Sequence, residues 1–117
     1  MNTKQLTAYR DWLSEVIEQQ QPISGYDFTT EVPHITTEQM LAVLTLADTG
    51  QFTLAAEKLG MSQPGLSRQI QRIEKATRRT IFMRGSKGAQ LTPQGAQVAI
   101  WCRDTLASLE RLGGAQS

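Results

Sequence analysis

Apolar positions recur at helical spacing along most of this chain, and the breaks between them fall at proline, glycine and capping residues. Leu6, Tyr9, Trp12, Leu13, Val16 and Ile17 share one broad face of a helix predicted over residues 3–21, capped by Asn2 or Thr3 and ended by Pro22. Residues 22–35 hold Pro22, Gly25 and Pro33 and show no helical period, so they read as a connection, with Ile23, Tyr26, Phe28 and Val32 available to pin it to a surface. Thr36 and Gln39 have the spacing of a capping box, and Met40, Leu41, Val43, Leu44 and Ala47 supply the buried stripe of a helix ending near Gly50. Phe52, Leu54, Ala55, Leu59 and Met61 complete a small core, and the small Ala55-Ala56 pair permits a close helix crossing.

Residues 52–74 organise the rest. Thr53 is placed to cap a short helix through Leu59, Gly60 suits a left-handed helix end, and Ser62 is placed to cap a second helix with Pro64 in its first turn. In that second helix Leu66, Ile70, Ile73 and Thr77 form an inward stripe. Pro64, Arg68, Gln71, Arg72 and Lys75 fall on the outer face, flanked at its N-terminal end by Gln63, Gly65 and Ser67. This is the pattern of a helix-turn-helix whose second helix has amide and hydroxyl groups for base edges and cations for phosphates. Gly65 weakens a helix, and a close approach to another surface would account for it.

Downstream, TIFMR and AQLT can pair as strands around Gly85-Ser86-Lys87-Gly88, a wing on which Arg84 and Lys87 reach phosphates or a minor groove. Thr92 caps a last helix with Pro93 at its first position, running to about Leu112 before Gly113-Gly114. Val98, Cys102, Thr105, Leu109 and Leu112 recur along it at steps of 4, 3, 4 and 3, a heptad seam with Trp101 beside it, while Ala96, Ile100 and Ala107 face elsewhere and are free to dock on the chain's own domain.

The net charge of +1 conceals a sharp partition. Residues 1–50 carry two basic and seven acidic side chains (−5), residues 51–92 eight and two (+6), and residues 93–117 two of each. A basic segment confined to the helix-turn-helix and its wing is the footprint of a nucleic-acid binder. A length of 117 residues with 39% apolar content suits one domain with a modest core. With no long apolar run and no signal pattern at the N-terminus, the expectation is a soluble, cytoplasmic protein without a membrane partner. Cys102 is the sole cysteine and His34 the sole histidine, far apart in sequence, so neither a metal set nor a nucleophile-base pair is present; no cofactor and no enzymatic activity are expected.

The ordered landmarks Phe52-Thr53, Ala55-Ala56, Leu59, Ser62-Gln63-Pro64, Leu66-Ser67, Gln69-Ile70, Glu74, Phe82, Arg84, Leu91-Thr92 and Gly95 resemble the N-terminal winged helix-turn-helix of the LysR-type bacterial transcription regulators. The resemblance covers roughly residues 37–112. Gly65 stands where the family usually has Ala, Thr77-Arg78 where it has Leu-Gly, and Gln94 where it has Ala. The implied fold is mainly α: a winged helix-turn-helix of a three-helix core and a two-stranded wing, with an extra N-terminal helix and a long C-terminal dimerisation helix. The expected divisions are residues 1–35, 36–92 and 93–117. The family dimerises through its linker helix, which implies a dimer interface at Val98, Trp101, Cys102, Thr105, Leu109 and Leu112.

The resulting expectation is a homodimeric transcription regulator on an inverted-repeat operator in double-stranded DNA. Gln63, Pro64, Ser67 and Arg68 would face bases, Thr53, Ser62, Arg72 and Lys75 would hold phosphates, and Arg84 and Lys87 would act from the wing. The effector domain usual in the family is absent from these 117 residues, so the chain is either a stand-alone regulator or the DNA-binding piece of a longer one. The alternative is an interaction subunit that heterodimerises with a full-length family member. The N-terminal helix, which the family does not normally carry, either covers its own domain's core or adds to a dimer interface.

Overall fold

Thr36 starts the central helix: its hydroxyl accepts the Gln39 N–H at 3.1 Å while the Gln39 side chain accepts the Thr36 N–H at 3.2 Å. In the computed structural model, which describes residues 2–19 and 31–113 without the side chains of residues 16–19, the elements are α1 (Thr3–Gln19), α2 (Thr37–Thr49), α3 (Phe52–Leu59), α4 (Gln63–Thr77), β1 (Phe82–Gly85), β2 (Gly88–Leu91) and α5 (Pro93–Leu112). The chain divides into two units, Met1–Val32 and Pro33–Ser117. In the first, α1 begins where expected: Asn2 Oδ1 accepts the Gln5 N–H at 2.8 Å, and Gln5 returns the bond to the Asn2 N–H at 3.0 Å. Tyr9 and Trp12 stack with ring centroids 5.9 Å apart on its apolar face. The expected stop at Pro22, the pinning residues Ile23, Tyr26 and Phe28, and the side chains of Val16 and Ile17 lie outside what is described.

In the second unit α2 is the hub, packed against α3, α4, α5 and β2. Its buried face is Met40, Ala42, Val43 and Leu46 rather than the expected stripe: Leu41 is exposed and Leu44 only half-buried. The helix is surrounded on several sides, so its buried positions do not trace a single stripe. Leu54, expected in the core, is likewise exposed, because α3 turns the small Ala55 and Ala56 inward at its crossing with α2 and α4. From α4 the core receives Leu66, Ile70 and Ile73, and Thr77 is half-buried below them.

The wing pairs Phe82 with Leu91 and Gly85 with Gly88 around a two-residue turn of Ser86 and Lys87. Ile81, predicted within the first strand, precedes it and is fully buried; its N–H is spent on Glu74 and its carbonyl accepts the Thr92 N–H at 2.9 Å. The wing is tied to the hub where the Ala89 N–H meets the Gly50 carbonyl at 2.9 Å. Gly88 (φ 101°) borders the same carbonyl so closely that a Cβ would collide with it.

Thr92 caps α5 through the Gly95 N–H at 2.8 Å and also donates to the Thr80 carbonyl, which fixes the helix start against the β1 approach. Gly95 packs directly on Ile81: a Cβ there would lie 2.7 Å from the Ile81 carbonyl carbon and 2.9 Å from its Cα. The heptad stripe divides between the chain's own core and exposed surface. Val98 and Cys102 are buried in this domain's own core, with Ala99 beside them and Leu106 against it, while Ile100, expected to dock, is 51% exposed. A 3.6-residue helix lying on a globular core turns the early part of a heptad stripe into that core, and only the part beyond it stays available. Trp101, Leu109 and Leu112 remain exposed, and Thr105 half-buried.

Candidate nucleic-acid interface

The turn between α3 and α4 is set by hydrogen bonds that glycine makes possible. Gly60 sits in the left-handed region (φ 65°), its N–H bonded to the Glu57 carbonyl at 3.1 Å, and the following Met61 N–H reaches back to Ala56 at 3.0 Å. Two residues later Ser62 accepts the Gly65 N–H at 3.0 Å and starts α4, with Pro64 in its first turn. A Cβ on Gly65 would lie 3.0 Å from the Ser62 hydroxyl oxygen, so within the chain it is the cap itself that approaches this glycine most closely.

Thr53 does not cap α3. The cap is Gln51, extended and without a side-chain bond, and the helix begins at Phe52, whose ring is half-buried against the core. The Thr53 hydroxyl instead accepts the Gln63 side-chain amide at 3.0 Å, joining the first turn of α3 to the first turn of α4. This bond orients Gln63, whose carbonyl and second amide hydrogen stay open outward.

Arg84 makes the second bridge. Its guanidinium lies 4.3 Å from the centroid of the Phe52 ring and donates to the Ser67 hydroxyl at 3.0 Å. Two residues assigned separately from sequence, one to base readout and one to the wing, are thus a single hydrogen-bonded pair, and Phe52 completes it. The sequence contained all three, but no spacing rule pairs Phe52 or Ser67 with a residue far along the chain. Planar guanidinium has five donors, so the pair leaves Arg84 donors for an anion.

Glu74 makes the third. Its Oε2 accepts the N–H of Ile81 at 2.8 Å and of Phe82 at 3.3 Å, fixing the start of the wing to the last turns of α4. With Glu74 so engaged, Arg68, Arg72 and Lys75 are exposed along α4, and Lys87 is exposed at the wing tip. Among the described residues the ion pairs are Lys58 with Asp48 and Arg103 with Asp104, and neither involves these cations. The arrangement is a helix N-terminus presenting Gln63, Pro64 and Ser67, followed by a run of unpaired positive charge and a basic wing. Its polar atoms suit base edges and its cations suit phosphate oxygens. Among the described residues no group of three or more His, Cys, Asp and Glu side chains is placed to hold a metal ion, and no helix is long and apolar enough to cross a membrane.

The sequence model of the bacterial regulatory helix-turn-helix proteins of the lysR family matches residues 37–96, which is α2 through the first turn of α5. The chain is 36% identical over 75 residues to an uncharacterized HTH-type transcriptional regulator, YkuM, of Bacillus subtilis, covering 64% of this chain and 26% of that protein. It is 33% identical over 94 residues to a probable RuBisCO transcriptional regulator of Porphyra purpurea, covering 74% and 29% respectively. The chain thus spans less than a third of the length of these relatives. Among solved structures it is similar to the DNA-binding domain of CbnR in complex with DNA, with a TM-score of 0.66, 27% identity, and coverage of 70% of this chain and 94% of that one. Having both the family's sequence pattern over about half its length and the winged helix-turn-helix built on it, this chain belongs to the LysR family of bacterial regulatory helix-turn-helix proteins.

Proposed function

We propose that this chain is a sequence-specific double-stranded DNA-binding transcription regulator that lays α4 in the major groove. The observation that carries this reading is the union of exposed, unpaired Arg68, Arg72 and Lys75 with a Gln63 oriented by Thr53 on a single helix, α4, whose opposite face is buried in the core. Gln63, Pro64, Ser67 and Arg68 face base edges; Thr53, Ser62, Arg72 and Lys75 lie toward phosphates; Arg84 and Lys87 act from the wing. Arg84 does so while held by Phe52 and Ser67, which supports a fixed wing-to-helix spacing. The CbnR domain, similar in fold, was solved bound to DNA, and its likeness supports the same mode here.

The protein acts as a homodimer on an inverted repeat, in the cytoplasm. Support for the dimer lies in α5, where Trp101 (45% exposed), Leu109 (44%) and Leu112 (85%) leave apolar surface at and beyond the edge of the domain. Selection of bound duplexes from a random-sequence pool, followed by a scan of single-base variants, tests the reading. Arg68→Ala is expected to lose roughly 1–3 kcal/mol of discrimination at particular positions, and Lys75→Ala to weaken every sequence alike. Enrichment of no common motif overturns the proposal, and uniform weakening by Arg68→Ala removes that residue from base readout.

A further inference from the structure

Among the described residues, one that is not glycine has a positive φ: Arg78, at 55°. It ends α4 in the left-handed conformation, its N–H bonded to Lys75 at 3.3 Å while the next N–H, of Arg79, reaches Glu74 at 3.2 Å. A side chain at this position is strained relative to glycine, and strain of this kind persists where something else requires the residue. Among the described residues the Arg78 side chain makes no hydrogen bond. Arg79 has an intramolecular role, since its Nη1 donates to the Thr77 carbonyl at 3.2 Å at the negative end of the helix dipole. The neighbouring carboxylate, Glu74, is committed to Ile81 and Phe82. Arg78 is exposed and has no ion-pair partner among the described residues.

We propose that Arg78 is a phosphate-binding residue, anchoring the far end of α4 to the DNA backbone beyond the bases that its N-terminus reads. This rests on the DNA-binding reading above. A helix of 15 residues is about 22 Å long, whereas the major groove is about 12 Å wide. With its first turn at base edges and its axis inclined across the groove, such a helix extends past the groove rim, which brings its C-terminal end to the level of the sugar-phosphate backbone. Arg72 and Lys75 are exposed along α4, and Arg78 is exposed at the left-handed turn that ends it. A cation there adds charge contact without sequence preference.

The test compares the whole chain with its Arg78→Gly, Arg78→Asn and Arg78→Lys variants, measuring anisotropy of a labelled mixed-sequence duplex across a salt series together with thermal melting. Glycine relieves the backbone strain and asparagine tolerates it, so both variants are expected to fold, with Arg78→Gly melting a few degrees higher than wild type. Both are expected to reduce the slope of log K against log salt by about 0.9 and to bind roughly 5- to 10-fold more weakly at about 0.1 M salt. Arg78→Lys is expected to keep the wild-type slope. A steep wild-type slope left unchanged in Arg78→Gly and Arg78→Asn overturns the role of Arg78 alone, as does an equal loss of slope in Arg78→Lys. A flat wild-type slope overturns it together with the DNA-binding reading.

Discussion

Replacing Glu74 isolates the bond that joins the reading helix to the wing. Glu74→Ala removes the acceptor of two backbone donors, at 2.8 Å from Ile81 and 3.3 Å from Phe82, on residues that are 0% and 6% exposed. A buried N–H left without a partner costs about 1–3 kcal/mol, and the longer bond belongs at the low end of that range. The expected loss is therefore about 2–4 kcal/mol, a large share of the roughly 5–10 kcal/mol available to a domain of this size. Glu74→Gln keeps an oxygen at the same reach and gives up only the charge assistance, so about 1 kcal/mol is expected. Urea unfolding followed by circular dichroism measures both, and DNA affinity should fall in the same order as the wing loses its fixed distance from α4. Glu74→Ala within about 0.5 kcal/mol of wild type, or Glu74→Gln as damaging as Glu74→Ala, would refute the reasoning.

Gly95→Ala should destabilise by about 2–4 kcal/mol in thermal or urea unfolding despite the better helix propensity of alanine, because its Cβ meets the backbone of Ile81 and not a side chain that can move. Leu109→Glu should give a folded monomer by sedimentation and circular dichroism, with weaker binding to a two-half-site duplex; a mutant that stays dimeric would move the interface elsewhere, and one that unfolds would make Leu109 part of the core. Burial pushes the Cys102 thiol up to about 11, above its ordinary value near 9. The unfolded thiol therefore ionises first, so this contribution to stability is whole below about pH 9 and is lost as pH rises toward 11. Cys102→Ala should flatten that part of the stability profile, and the native thiol should label slowly with an aromatic disulfide reagent at neutral pH.

The local signals in the sequence were those that single residues enforce. The Thr36–Gln39 box, Gly50, Gly60, Ser62 and Thr92 each act on backbone groups a few residues away, and each stands in the structure where the sequence puts it. Burial was legible where one face packs, as with Leu66, Ile70 and Ile73, and misread at Leu41 and Leu54, where several neighbours decide which side is inside. Thr53 illustrates a competition the sequence leaves open: a threonine near a helix start can cap it or bond across the turn, and the packing of Phe52 draws the helix start back and leaves Thr53 for Gln63. The heptad on α5 mixed two destinations, since the pattern that would face a partner begins as the pattern that fills the domain at Val98 and Cys102. The Arg84, Ser67 and Phe52 cluster and the Glu74 bridge join residues distant in the chain, and only the folded geometry brings them together.

The central claim is that the exposed cations of α4 and the wing engage DNA phosphates. It is tested most directly by the equilibrium affinity of the whole chain for a selected duplex, measured by fluorescence anisotropy over a series of salt concentrations. Each phosphate neutralised contributes about 0.9 to the slope of log K against log salt. Engagement of Arg72, Lys75, Arg84 and Lys87 predicts a slope of roughly −3 to −4 for each bound domain, and engagement of Arg78 as well steepens it to roughly −4 to −5. An affinity that stays flat from low to physiological salt would contradict the account.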